Sequence, residues 1–346
     1  MTSLSDEALT RLRTAASGAS DASSRYLLLR ELGRGGMGTV WLAHDSELDR
    51  EVALKVIREG SDTSADAAER LAREARILAR LEHPGIVPVH DVGRLPDGAL
   101  FYVMKRVEGE RLDRHFPLEA PLSERLRLFQ RLCETVAFAH AHGVVHRDLK
   151  PENVMVGRFG EVLVLDWGVA KVLADGEAPR PSAGGAPRPG ETAEGTVLGT
   201  LEYTSPEQLE GRVEEISARS DIFALGAILY FLTARRAPFA DRGKERAAPG
   251  GARRPPLPLR RVDSSLPKPL EAIVTRAMAP EPAQRYASAE ALGEDIARLV
   301  DGLPVSAHRE NLLERTGRLF RRHRVAATLI LVYLAVRVLI LAVGGR

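Results

Sequence analysis

Residues 144–156 read VVHRDLKPENVMV, and after a five-residue gap residues 162–168 read VLVLDWG. Two acids, Asp148 and Asp166, follow or end short apolar runs, and Lys150 and Asn153 sit beside the first. Asn153 and Asp166 offer the hard oxygen ligands that suit magnesium, an ion that keeps several of its waters. Asp148 is then left to orient a hydroxyl and accept its proton. Lys150 would neutralise charge on a moving phosphoryl group. A surface turn could account for any one of these residues. It does not account for all four together.

Upstream, residues 26–43 read YLLLRELGRGGMGTVWLA. Alternating apolar residues lead into Gly33, Gly35, Gly36 and Gly38, then return to Val40 and Leu42. Glycines stand where side chains would block a phosphate. The spacing Gly33-x-Gly35-x-x-Gly38 is weak by itself, because dinucleotide folds open with it too. Here it continues as a strand through Thr39, Val40 and Trp41, which favours a hairpin lid over ATP. Fifteen residues after Val40, Lys55 lies inside the apolar strand VALKVI, where its ammonium needs a partner. A helix is expected over ADAAERLAREARILARLEH, residues 65–83, with Leu71, Ala75 and Leu78 on one face. Glu74 lies beside that face and could pair with Lys55. Glu69 and Glu82 read better as solvated charges.

HRDLKPEN at 146–153, VALK at 52–55, GRGGMG at 33–38, DWG at 166–168 and SPE at 205–207 resemble the protein kinase superfamily, and in particular the bacterial, eukaryotic-like serine/threonine kinases. The resemblance covers about residues 26–302. It implies an α+β, bilobal fold with a small β-rich lobe, a larger helical lobe and ATP in the cleft. It implies that Lys55 holds the α- and β-phosphates and pairs with Glu74, that Asp148 is the catalytic aspartate, and that Asn153 and Asp166 bind Mg2+, with Mn2+ as the alternative ion. Leu32 and the glycines would lie over the nucleotide. Met104 resembles the gatekeeper, with Lys105–Val107 as the hinge that meets adenine. Val40, Ala53 and Met155 resemble the apolar sandwich around the ring. His146 and Trp167 resemble packed pieces of a regulatory spine. Asp221 resembles the buried aspartate that ties the catalytic loop to a central helix, and Glu207 and Arg285 the buried ion pair of the large lobe.

Serine or threonine is the expected acceptor. Lys150 two residues after Asp148 is the serine/threonine arrangement, and Thr200 in GTLEYTSPE resembles the threonine that bridges Asp148 and Lys150. Arg147, directly before Asp148, resembles the arginine of kinases switched by a loop phosphate. Thr192 and Thr196 are the candidate phosphosites, ahead of Ser182. Three features depart from the pattern. Trp167 replaces the commoner Phe. The segment from Asp166 to Glu207 is long and Pro/Gly-rich. Residues 241–256 hold Pro249, Gly250, Gly251, Pro255 and Pro256, against a regular substrate-docking helix there. A pseudokinase scaffold would be favoured by loss of Lys55, Asp148, Asn153 or Asp166, and all four are present. A small-molecule phosphotransferase does not fit the SPE region.

The remainder of the 346 residues fits this frame. The chain is 44% hydrophobic and 28% charged, which argues against wholesale disorder. A net charge of +2 excludes a nucleic-acid-binding field over the whole surface. The single cysteine, Cys133, excludes an internal disulfide framework and a multi-cysteine zinc site. Residues 1–25 read as a flexible tail without a secretory signal. The small lobe and hinge are expected over 26–107 and the large lobe over 108–302. A basic juxtamembrane segment follows at 303–324, with six arginines from 308 onward. Residues 325–343, VAATLILVYLAVRVLILAV, form an apolar run about 28 Å long as a helix, close to a bilayer's hydrocarbon thickness. The positive flank places residues 1–324 on the cytoplasmic side of the inner membrane. Arg337 within the run costs ~2.5–3.5 kcal/mol on insertion scales, offset by the many aliphatic residues. Expected partners are ATP, protein substrates bearing Ser or Thr, the membrane, and transiently a second copy, without nucleic acid.

Overall fold

A computed structural model describes residues 25–35, 38–57, 81–95, 99–115, 120–167, 171–172, 202–240, 255–310, 315–316, 332–333 and 335–337. The glycine-rich stretch folds as a hairpin. Strand β1 (Tyr26–Gly35) pairs antiparallel with β2 (Gly38–Asp45) through Gly35↔Gly38. With β3 (Arg50–Ile57), β4 (Val89–Arg94) and β5 (Leu100–Lys105) they make a five-stranded antiparallel sheet ordered β1-β2-β3-β5-β4. The two-residue period of a strand sorts the side chains onto two faces. Ala43, Val52, Leu54, Phe101 and Val103 join Tyr26 in a small core on one face. Register partners Val40↔Lys55 and Ala53↔Met104 fall on the other, which looks into the cleft.

The larger lobe follows β6 (Gly109–Arg111) and the short α1 (Leu112–His115). It contains α2 (Leu122–Ala141), β7 (Val144–Val145), β8 (Val154–Gly157), β9 (Val162–Val164), β10 (Lys171–Val172), α3 (Pro206–Leu209), α4 (Ala218–Ala234), α5 (Leu259–Val262), α6 (Lys268–Ala277) and α7 (Ala289–Val300). Helix α4, ARSDIFALGAILYFLTA, is apolar nearly all round and is buried along most of its length, so it forms the lobe's axis. Ser217 caps its first turn. Its last turn is capped from outside: buried Arg125 of α2 donates from Nη1 to the Leu232 carbonyl at 2.8 Å, a cation at a helix C-terminus. Amphipathic α2, α6 and α7 pack their apolar stripes around this axis.

Glu207 and Arg285 form the expected buried pair, with two bonds at 2.7 and 2.8 Å, and Ser220 adds a third donor at 2.7 Å. Burial alone would raise the Glu207 carboxyl, but Arg285 and Ser220 outweigh it and hold it below the usual range. Next to this pair a second buried carboxylate organises the end of the lobe. Asp295 accepts the Tyr286 hydroxyl at 2.8 Å, the Ser306 N–H and hydroxyl at 2.7 Å each, and the Ala307 N–H at 3.1 Å. Val305 is buried with it. The lobe's contacts therefore continue past residue 302, where the sequence suggested a boundary.

The two lobes meet along the loop 81–88. The Val164 N–H donates to the Gly85 carbonyl at 2.8 Å, and Ile86 bridges Val164 in parallel. A Cβ on Gly85 would stand 2.0 Å from the Thr135 Oγ1 of α2, itself bonded to the Arg131 carbonyl at 3.0 Å. Only a hydrogen fits between loop and helix. Gly85→Ala should therefore lower stability by about 1–3 kcal/mol. The measurement is the midpoint of denaturant unfolding at unchanged slope; an unmoved midpoint would contradict this close approach.

Candidate active site

The segment between β7 and β8 carries His146, Arg147, Asp148, Lys150 and Asn153, and its shape is fixed from beneath. The Asp221 carboxylate of α4 accepts the His146 N–H and the Arg147 N–H, both at 2.8 Å. It also contacts His140 Nε2 at 2.8 Å. Burial would raise the Asp221 carboxyl, but His140, His146 and the Arg147 N–H together hold it below the usual range. A depressed native pKa contributes stability above the unfolded value, lost as pH falls through the native one. The tie is thus intact at neutral pH and loosens only in acid. Arg147 takes a left-handed backbone, φ 71°, as does Asp166, φ 59°. Non-glycine residues avoid that region, at a cost of roughly 1–2 kcal/mol each. Two of the four non-glycine residues with positive φ among the described residues thus fall on the two stretches the sequence singled out; the others, Asp49 and Arg235, lie in the β2–β3 turn and at the end of α4.

Above this base the polar groups converge. Lys150 Nζ lies 2.9 Å from Asp148 Oδ2. Asn153 Nδ2 donates to the Asp148 carbonyl at 2.8 Å and to Oδ2 at 3.1 Å. The amide nitrogen is thereby turned toward Asp148, which leaves the amide oxygen for another partner. The Leu165 N–H donates to the Asn153 carbonyl at 2.8 Å, fastening Asp166 beside the same turn. Lys55, 4% exposed, forms an ion pair with Asp166 Oδ1 and lies 5.7 Å from the Tyr102 ring centre. The lysine on β3 and the aspartate after β9 therefore face each other across the cleft. His146 and Trp167 are buried, their rings 4.7 Å apart, and the Trp167 indole donates to the Val164 carbonyl at 3.3 Å.

Val40, Met104 and Met155 are half-buried and Ala53 is buried. Leu32 is exposed on β1. Val107 follows β5, beside a backbone bond from Lys105 N–H to the Pro88 carbonyl at 3.1 Å. Gly33, Gly35 and Gly38 lie on the hairpin. Glu74, Gly36, Thr192, Thr196 and Thr200 lie outside the described residues, as do Ser182 and residues 241–254. Two contributors were missed by sequence reasoning. His140 braces Asp221 from the end of α2; six residues ahead of His146, it could have been found from the helix end that precedes the motif. Gln208 donates from Nε2 to the Arg147 carbonyl at 2.6 Å. Nothing in local spacing marks that contact, which depends on how α3 docks.

A small antiparallel sheet, a helical lobe, and a lysine opposed to Asp148, Asn153 and Asp166 across one cleft define the protein kinase class. The chain belongs to that family: the protein kinase domain matches residues 26–296. It is similar to the serine/threonine-protein kinase PknD of Chlamydia abortus, 35% identical over 302 residues, covering 81% of this chain and 31% of that one. It is 36% identical over 286 residues to PknB of Mycolicibacterium smegmatis, covering 81% and 44%. The PknI kinase domain of Mycobacterium tuberculosis shares the fold at a TM-score of 0.58 and 27% identity, over 82% of this chain and 98% of that domain. The chain spans less than half the length of these curated relatives.

Asp221→Asn keeps the shape of the side chain but turns an amide NH2 toward backbone N–H groups. Its expected effect is a fall of about 100-fold or more in kcat with a smaller change in the KM for ATP, because the catalytic segment shifts while the opposing sheet does not. Steady-state kinetics at saturating ATP measure it. An unaltered kcat would detach Asp221 from the geometry of Asp148.

Proposed function

We propose that the chain transfers the γ-phosphoryl group of ATP to serine or threonine hydroxyls of proteins. The observation that carries this reading is the meeting of Asp148, Lys150 and Asn153 on one rigid turn, opposite Lys55 and Asp166. The donor set fits a hard divalent cation: the Asp166 carboxylate and the amide oxygen of Asn153 are both oxygen ligands on adjoining backbone. Asp166 and Asn153 would hold such an ion, magnesium in our reading, and bound there it would offset negative charge on the phosphates. Lys55 and the glycine hairpin hold the nucleotide, with adenine between Val40, Ala53 and Met155 and its edge at Met104–Val107. Asp148 accepts the proton of the attacking hydroxyl as its oxygen bonds to phosphorus and the bond to the ADP oxygen breaks. Lys150 offsets charge on the group in transit. Asp148→Asn should reduce phosphoryl transfer by at least 1,000-fold while ATP still binds. Radiolabelled transfer to a generic protein, paired with calorimetric nucleotide binding, tests this. Near-normal turnover in the variant would sink the reading.

The chain is further proposed to work as a membrane-anchored enzyme, its kinase domain on the cytoplasmic side. Support comes from the apolar run 325–343 and its arginine-rich flank. Among the described residues no helix is long and apolar enough to cross a membrane, and most of the run lies outside them. Of the described part, Val332, Tyr333 and Val336 are helical and exposed. Deleting 325–346 should move the protein from the membrane pellet to the soluble fraction. Full-length chain recovered as soluble without detergent would exclude the anchor.

Activation by loop phosphorylation, in trans between two chains on the membrane, completes the proposal. Arg147 supports it. Its Nε and Nη2 are buried with no hydrogen-bond partner among the described residues, and burial lowers its pKa. A phosphate on Thr192 or Thr196 would bring about −1.5 to −2 charges to such a guanidinium. Confinement to a membrane raises the effective concentration of a second chain. The Thr192→Ala/Thr196→Ala double variant should lose about tenfold or more of its activity after preincubation with ATP. Full activity in that variant, with no phosphate mapped between residues 175 and 199, would rule the mechanism out.

A further inference from the structure

Trp167 stands beside Asp166 and takes no part in the proposed transfer. It is also where the sequence departs from the commoner phenylalanine. It is 2% exposed, so it reaches the chemistry only through its neighbours. An indole differs from a phenyl ring in its greater area and in one N–H donor. The donor is in use: the Trp167 Nε1–H donates to the Val164 carbonyl at 3.3 Å, which closes a ring of chain over Leu165 and Asp166.

Both ends of that ring are fixed. Val164 pairs with Val154 in the sheet, its N–H donates to the Gly85 carbonyl at 2.8 Å, and Ile86 bridges it. At the other end the Trp167 ring lies 4.7 Å from that of His146, which is tied at both nitrogens. His146 Nδ1 accepts the Asp148 N–H at 3.2 Å. In a neutral imidazole this leaves the proton on Nε2, which donates to the Leu165 carbonyl at 2.9 Å. The Leu165 N–H is taken by the Asn153 carbonyl at 2.8 Å. Asp166 is the residue within the ring whose backbone is strained, at φ 59°. Such a conformation persists only where surrounding bonds over-determine it.

We propose that Trp167 is a positioning residue for Asp166: its indole N–H holds the left-handed turn closed and keeps the carboxylate aimed into the cleft. The inference rests on the reading of Asp166 as the metal ligand and adds what orients it. Lys55 restrains the same carboxylate from the opposite side of the cleft through their ion pair. In that reading Lys55 turns to the nucleotide phosphates once ATP is bound, so its hold on Asp166 is given up when the aspartate is needed. The indole bond comes from within the segment and persists through that exchange. A phenylalanine at this position would keep a ring against His146 and lose the donor. The turn would then sample more conformations, and an arriving cation would have to order it on binding.

The test compares the full chain, in detergent, with Trp167→Phe and with a chain carrying benzothienylalanine at position 167, which has sulfur in place of the indole N–H at nearly the same volume. Calorimetry measures ATP binding in EDTA and again in magnesium. The gain in affinity on adding magnesium should fall about fivefold in both variants, the usual net strength of one neutral hydrogen bond, while metal-free affinity stays within about twofold. A merely structural fault would weaken both alike. Without nucleotide, the Leu165 amide should exchange about fivefold faster in both variants. The isostere keeps the core filled and should melt with the parent, so the comparison stands even where Trp167→Phe unfolds. An unchanged magnesium gain in the isostere would overturn the proposal, as would an equal loss with and without the metal. If the wild type binds ATP and gains nothing from magnesium, the metal role of Asp166 falls and this inference with it. If the wild type binds no ATP, the nucleotide reading fails, and Leu165 exchange alone decides whether the indole holds the turn.

Discussion

One buried carboxylate sets the position of almost everything that matters chemically. Asp221 lies at the start of the most apolar helix among the described residues, where an ion would be costly without compensation. Two backbone N–H groups and the His140 ring supply that compensation. In exchange, the segment carrying Asp148 is held to a helix that itself cannot move without disturbing the core. The strained backbone at Arg147 is tolerable because these bonds over-determine it. The geometry between Asp148, Lys150 and Asn153 then follows from a single chain reversal bound at its base.

The same logic recurs at two more carboxylates, Glu207 and Asp295. Each is buried, each is held below the usual carboxylate range by hydrogen-bonded donors, and each fastens a segment with little regular structure of its own. Glu207 fixes the short helix after the Pro/Gly-rich stretch. Asp295 fixes the chain that follows the last helix. Breaking such a site by removing one partner leaves an uncompensated buried charge, which costs about 3–5 kcal/mol. The large lobe is thus an apolar helical axis with three anionic fasteners on its surface elements.

Local spacing made much of this legible. The period-two pattern around Gly33–Gly38 gave the hairpin, and an apolar strand interrupted by Lys55 gave the cleft-facing lysine. The pairing of Asp148, Lys150 and Asn153 followed from a six-residue span that any turn would hold together. Contacts between distant segments were less accessible. Lys55 was expected beside Glu74, which lies outside the described residues, and its contact with Asp166 joins two segments far apart in the chain; a sequence can show that a buried ammonium needs an anion, but neither segment's own period points to an aspartate 111 residues away. Arg125 capping α4 and Gln208 reaching the Arg147 carbonyl depend on helix docking, which leaves no trace in either element's own period. The hold of Asp295 on Ser306 and Ala307 was likewise not visible, because Leu303–Ala307 has no periodicity and is held by one remote aspartate.

That last fastening gives the proposed anchor a fixed origin. Asp295 holds the chain as far as Ala307, so only residues 308–324 separate the folded lobe from the apolar run at 325. Seventeen residues reach about 60 Å when fully extended and about 26 Å as a helix. An enzyme so tethered would sweep a thin shell above the bilayer, no deeper than roughly its own diameter plus that leash. Its choice of substrates would then be filtered by altitude before it is filtered by sequence. Under that proposed tether, proteins whose serines and threonines lie within the layer would be presented to the cleft again and again, while those farther from the membrane would be met only as they drift to the surface.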